Sequence, residues 1–191
     1  MQRIAGKRNI LVRISDLYSR LMYGKEAEPA AVMAHRPQIM LGWGALETGL
    51  QCSRKVDDRL KALAATKVAS SVGCTFCMDI GSHLSSRAGV SERQLRELNS
   101  YAESDAFSPL EKLVLAYADE MTKTPVDVPD ELFARLQEHF DQAQIVELTA
   151  SIAVEQFRSR FNRALRIPAQ GFTEGGYCVL PIAAASSAPS H

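Results

Sequence analysis

Apolar residues recur along this chain at intervals of three and four, the spacing that places side chains on one face of an α-helix. Between residues 9 and 22, Ile10, Leu11, Ile14, Leu17 and Leu21 form one such stripe, and Gly24 ends it. Pro29 and Pro37 punctuate residues 27–38, which read as a connector with one helical turn. The stretch MLGWGALETGL that follows is again helical in pattern. An Ala- and Leu-rich helix is predicted from Val56 to Val72, with Gly73 placed to end or kink it. A second helix starts at Cys74 and Cys77 and runs to about Arg87, where Ala88 and Gly89 stop it.

Polar punctuation places the remaining elements. Ser91 with Gln94, and Ser108 with Glu111, have capping-box spacing, and Pro109 sits at a first helical position. The first box opens a short helix through Leu98. The second opens a helix that buries Leu110, Leu113, Val114, Tyr117 and Met121. Pro125 and Pro129 bracket a loop; Asp130 to Phe140 then forms a helix with Leu132, Phe133, Leu136 and Phe140 inward. Asp141 caps a long helix from Gln142 to about Leu165. No period-two stretch of useful length occurs, so the predicted fold is all-α. It comprises one helical domain over residues 1–180 and a flexible Ala-, Ser- and Pro-rich tail over 181–191. A shift of 85 residues lays Leu63, Ala65 and Phe76 over Leu148, Ala150 and Phe161. The same overlay sets Cys74 on Ser159 and Cys77 on Asn162, which is compatible with a duplicated helical unit.

Composition narrows the classes of function. A chain of 191 residues buries a substantial core without staples. Its 22 basic residues balance 22 acidic ones, so no net field draws it to nucleic acid or to an anionic membrane. Arg158, Arg160, Arg163 and Arg166 cluster locally, and a solvated helix face accounts for them. No apolar run approaches the ~20 residues that span a bilayer, and the N-terminus lacks the features of a signal peptide. A cytoplasmic location is therefore predicted, where a close cysteine pair is more often catalytic or metal-binding than a structural disulfide.

Cys74 and Cys77 lie at i and i+3, on one helical face. A chain break at Gly73 would put Cys74 at a helix N-terminus, where free N–H groups and the helix dipole favour the thiolate. Packing as small hydrophobes remains an alternative reading. A zinc site needs four ligands, whereas Cys52 and Cys178 are isolated and only Asp79 and His83 lie nearby, so neither metal nor cofactor is expected. At about 100° per residue, His83 and Asp79 point away from the sulfurs, and the position that shares their face is Gly81. A proton acceptor then has to come from another helix, with Glu147, Glu155 and Lys67 as candidates.

The stretch VASSVGCTFCMDIGSHLSSRAGVSERQLREL, together with IVELTASIAVEQFRSRFNRALRIPAQGF, resembles the carboxymuconolactone decarboxylase and alkylhydroperoxidase D superfamily over about residues 20–178. The resemblance implies an all-helical fold that assembles as a homo-oligomer, a trimer or hexamer, with the cysteines in a pocket near a subunit interface. It further implies a thiol–disulfide oxidoreductase of alkyl hydroperoxidase type. In that scheme Cys77 attacks the hydroperoxide, Cys74 resolves the sulfenic acid, and an external dithiol regenerates the pair. The alternatives are a decarboxylase or isomerase of a small carboxylated metabolite, or a non-enzymatic helical oligomer. Two positions depart from the family pattern: the histidine four residues after the second cysteine is Gly81, and the glutamate twelve residues before the first is Ala62. The 85-residue overlay pairs Ala62 with Glu147, making Glu147 the preferred replacement base, with His83 as a further candidate.

Overall fold

Polar caps and prolines set the boundaries of this chain's helices, and the computed structural model describes residues 3–182. Most of the predicted tail lies outside the described residues. Among those described, nine α-helices follow one another: α1 Ile10–Tyr23, α2 Glu28–Met33, α3 Pro37–Cys52, α4 Asp58–Val72, α5 Thr75–Arg87, α6 Glu92–Arg96, α7 Pro109–Thr122, α8 Asp130–His139 and α9 Gln142–Ala164. A 3-10 turn, Leu98–Ser100, follows α6. Ser91, Ser108 and Asp141 each form a full capping box, with Gln94, Glu111 and Gln144. The connector predicted over 27–38 contains α2 and the start of α3. Pro29 and Pro37 both occupy first-turn positions, where a missing N–H removes no helical hydrogen bond.

α4 is the central helix, packed against α5, α7 and α9. Leu60, Ala64 and Val68 of α4 meet Leu113 and Val114 of α7, Leu136 of α8, and Leu148 and Ile152 of α9. Phe133, predicted inward, is instead exposed. Leu132, Leu136 and Phe140 are spaced by four and take the buried face of α8, which turns Phe133 about 100° away from it.

The apolar stripe of α1 also faces outward. Ile10, Ile14, Leu17 and Leu21 are 60–77% exposed, while Val12, Asp16 and Ser19 pack inward. α3 buries none of its residues fully and exposes Ile39, Leu41 and Leu46. Each of these helices thus presents exposed apolar side chains. None of the described helices is long and apolar enough to cross a membrane.

Candidate active site

The break between α4 and α5 creates the site. Gly73 ends α4 with φ +73°, a conformation that side-chain-bearing residues rarely adopt. The N–H of Cys74 returns to the Ala69 carbonyl at 3.0 Å, and Cys74 becomes the N-cap of α5. Its Sγ accepts the backbone N–H of Cys77 at 3.2 Å, as a capping oxygen would. Both cysteines are buried, within a cluster that includes Phe76, Met78, Ile167 and Phe172.

One face of α9 closes over the sulfurs. Glu155, Ser159 and Asn162 stand at i, i+4 and i+7, and so line up along the helix. Asn162 Nδ2 donates to Cys77 Sγ at 3.3 Å. The Ser159 hydroxyl donates to Glu155 Oε1 at 2.9 Å and lies within reach of Cys74. Cys77 is near enough for the Glu155 charge to act on its thiol. Thus two position pairs of the 85-residue overlay, Cys74 with Ser159 and Cys77 with Asn162, meet in space. Glu155 is also held by Arg158, whose Nη1 lies 3.0 Å from Oε2, while Arg158 Nε donates to Glu47 Oε1 of α3 at 2.7 Å. Arg158 therefore belongs to a partly buried charge network and not to the solvated basic face predicted for it.

These contacts polarise the thiol pair. Donation from the Cys77 thiol lowers the Cys74 pKa, against burial, and the Cys77 N–H and Ser159 add to the lowering. The same hydrogen bond raises Cys77, reinforced by burial and by the negative charges of Glu155 and Cys74. Burial pushes the Glu155 carboxyl up, although Arg158, Ser159 and Cys77 oppose it. Of the two sulfurs, Cys74 is therefore the one that ionises more readily and Cys77 the one that holds its proton, with the desolvated Glu155 carboxyl nearby.

The other predicted residues are engaged elsewhere. Glu147 lies eight residues before Glu155 on α9, about 12 Å along the axis. It accepts from Ser53 Oγ at 2.6 Å, the Lys55 N–H at 2.8 Å and Lys61 Nζ at 2.8 Å. Burial opposes its ionisation, yet Lys61, Ser53 and the N–H groups of Lys55 and Val56 hold its pKa at about 2. His83 packs with its ring 6.4 Å from that of Phe172. Lys67 pairs with Asp119 at 3.1 Å. Asp79 accepts from the backbone of Gln170, Phe172 and Thr173 and pins the C-terminal segment. Gly81 packs closely on α4: a Cβ there would lie 3.0 Å from Thr66 Oγ1, so a larger residue requires Thr66 to shift. The sequence signal that singles out Glu155 is its spacing of four and seven to Ser159 and Asn162, the overlay partners of the two cysteines.

Among the described residues, no group of three or more His, Cys, Asp or Glu side chains is disposed to hold a metal ion. All four cysteines are free, with Cys52 exposed and Cys178 half-buried. The chemistry available to the arrangement itself is dithiol–disulfide exchange, with a carboxyl to move the proton.

Comparison with known proteins places the chain in a family and a fold. The carboxymuconolactone decarboxylase family model matches residues 37–120, which include both cysteines. The uncharacterised protein YnjA of Escherichia coli K12 is 38% identical over 164 residues, covering 85% of this chain and 90% of YnjA. Among solved structures, the debrominase Bmp8 without ligand superposes with a TM-score of 0.79 at 20% identity, over 90% of this chain and 95% of Bmp8. A cysteine-to-alanine variant of Bmp8 in complex with 2,3,4-tribromopyrrole superposes with a TM-score of 0.77. An Agrobacterium tumefaciens protein of unknown function, related by its description to the antioxidant defence protein AhpD, gives 0.68 at 26% identity, over 72% of this chain and 94% of that one.

Proposed function

Because the chain belongs to the carboxymuconolactone decarboxylase family, in its AhpD-like superfamily, we propose that it is a thiol–disulfide oxidoreductase that reduces hydroperoxides with Cys74 and Cys77. The observation that carries this reading is the placement of the dithiol: Cys74 caps the N-terminus of α5 with its Sγ on the Cys77 N–H, and the Glu155–Ser159–Asn162 face of α9 lies over both sulfurs, with Asn162 donating to Cys77 Sγ. The thiolate is the nucleophile, so the readier ionisation of Cys74 supports attack by Cys74, the reverse of the order the resemblance implies. Cys74 Sγ attacks the terminal oxygen of R–O–OH, the O–O bond breaks, and Cys74 becomes a sulfenic acid. Glu155 relays the Cys77 proton to the departing alkoxide, which leaves as the alcohol. The Cys77 thiolate then attacks the sulfenic sulfur, closing the disulfide and releasing hydroxide, which is protonated to water. An external dithiol in a reducing, cytoplasmic setting returns the pair to its starting state. Treating the reduced protein with one equivalent of tert-butyl hydroperoxide should remove two hydrogens and join Cys74 to Cys77, as read by peptide mass mapping. Unreacted Cys74 and Cys77 in a folded protein would sink the assignment.

The decarboxylase alternative needs a cation free to hold a substrate carboxylate. Arg158, beside Glu155, is already shared with Glu47 and so is not free for that role.

We extend the proposal to assembly: a second copy of the chain covers the apolar stripe of α1 and the exposed face of α3. Leu17→Glu combined with Leu21→Glu should then lower the sedimentation coefficient. A wild-type protein that sediments as a monomer contradicts this arrangement.

A second reading rests on Trp43, Phe157 and Phe161. The Trp43 ring lies 4.8 Å from that of Phe157 and 6.3 Å from that of Phe161, and Phe161 packs on the cysteine cluster. This aromatic wall suits a flat halogenated ring, which is the class of molecule bound to the Bmp8 variant. In that case the thiolate takes the halogen, a proton replaces it on the ring, and Cys77 displaces halide to form the same disulfide. Halide release from a bromopyrrole separates the two readings.

A further inference from the structure

Glu47 reaches the site from a helix that buries little else. On α3, Trp43, Glu47 and Leu50 stand at i, i+4 and i+7 and are half-buried, while the residues between them are exposed. Trp43 packs on Phe157 of α9, and one turn further along Glu47 meets Arg158. The guanidinium forms a fork on this carboxylate: Nε donates to Oε1 at 2.7 Å and Nη2 to Oε2 at 2.5 Å. The third nitrogen, Nη1, donates to Glu155 Oε2 at 3.0 Å. One cation thus serves two carboxylates, and two of its three nitrogens go to Glu47.

This division bears on Glu155. A neighbouring cation favours the ionised form of a carboxyl, and burial disfavours it. Both act on Glu155, and burial prevails. Its second oxygen, Oε1, accepts from Ser159. Cys74 and Cys77 of α5 also feel its charge. Beyond Arg158 lies Tyr23 of α1, whose hydroxyl burial pushes up to about 12 and so keeps neutral. On α4, Lys61 is engaged by Glu147, and Lys67 by Asp119 of α7. How much of the Arg158 charge Glu155 receives therefore depends on Glu47.

We propose that Glu47 is a positioning residue for the dithiol reaction: it draws the Arg158 guanidinium toward α3, which leaves Glu155 able to hold a proton and give it up beside the cysteines. This rests on the peroxidase reading, in which Glu155 carries that proton. Glu47 touches neither sulfur and acts through Arg158. Without the Glu47 charge, the guanidinium keeps Glu155 as its carboxylate partner, and Glu155 stays ionised to lower pH.

The test follows disulfide closure by tert-butyl hydroperoxide in the reduced full chain as a function of pH, with acid quench and peptide mass mapping. The inflection that belongs to Glu155 is the one present in wild type and absent from Glu155→Gln. In Glu47→Gln it should move to lower pH by at least about one unit, about a tenfold loss of proton affinity. Glu47→Ala, which leaves no amide oxygen to hold the fork, should move it the same way and guards against a folding defect peculiar to one variant. A mere tie between α3 and α9 would change the rate at every pH, or the melting temperature, and leave the inflection in place. An unmoved or raised inflection in a folded variant therefore overturns the proposal. A wild-type profile with no Glu155-dependent inflection is a different failure: it removes Glu155 from the proton path, and this proposal falls with it.

Discussion

Glu155→Gln should slow closure of the Cys74–Cys77 disulfide by hydroperoxide about a hundredfold, with little change in thermal stability. Glutamine keeps the size of the side chain and can still hydrogen-bond Ser159 and Arg158, so the packing of α9 over the sulfurs survives. What disappears is a group able to take the Cys77 proton and pass it on. Arg158 retains its carboxylate partner Glu47, so no buried cation is stranded. Trp43, the only tryptophan, packs on Phe157 and Phe161, which makes its fluorescence a stopped-flow reporter of the oxidation. A rate equal to that of the wild type would remove Glu155 from the proton path.

Glu147→Gln should do the opposite: destabilise the fold by about 3 kcal/mol and leave dithiol oxidation intact. Glu147 is a nearly buried carboxylate that accepts from Ser53, the backbone of Lys55 and Val56, and Lys61. It ties the segment between α3 and α4 to α9. The neutral amide leaves Lys61 without its buried counter-charge and presents an NH2 where donors already converge. The pH dependence follows from the depressed pKa. Unfolding brings Glu147 back to its ordinary value near 4.5 from a folded value of about 2. Its stabilisation is therefore fully present above pH 4.5 and is lost as the pH falls toward 2. Chemical denaturation of wild type and variant should converge across that window. Parallel curves would mean that the Lys61 pairing contributes little.

These two glutamates also show how far the sequence could be read. Helix boundaries were legible because caps and breakers are local: Ser91, Ser108, Asp141, Gly73 and Gly89 act within a turn of where they stand. The placement of Cys74 at the start of α5 followed from Gly73 for the same reason. Choosing between Glu147 and Glu155 was another matter, since both stand on α9 and the outcome depends on where α9 crosses α5. The overlay drew attention to Glu147 through Ala62. Read one step further, it places Ser159 and Asn162 against the cysteines, and Glu155 is the acidic residue on that same face. The stripe on α1 was legible as a helix, but its outward orientation was not. A period of 3.6 identifies an apolar face without saying whether the chain itself or another copy covers it. Phe133 failed on a finer point, because Leu132 and Leu136 already filled the inward face of α8.

The central claim is that the resting dithiol carries its negative charge on Cys74, and residue-resolved alkylation against pH tests it most directly. Iodoacetamide labelling of the reduced protein, mapped by mass spectrometry, should modify Cys74 first. Its rate should rise through an apparent pKa below the ordinary thiol value of about 8.5, with Cys77 lagging at every pH. First modification of Cys77, or a Cys74 midpoint at or above the ordinary value, would contradict the account.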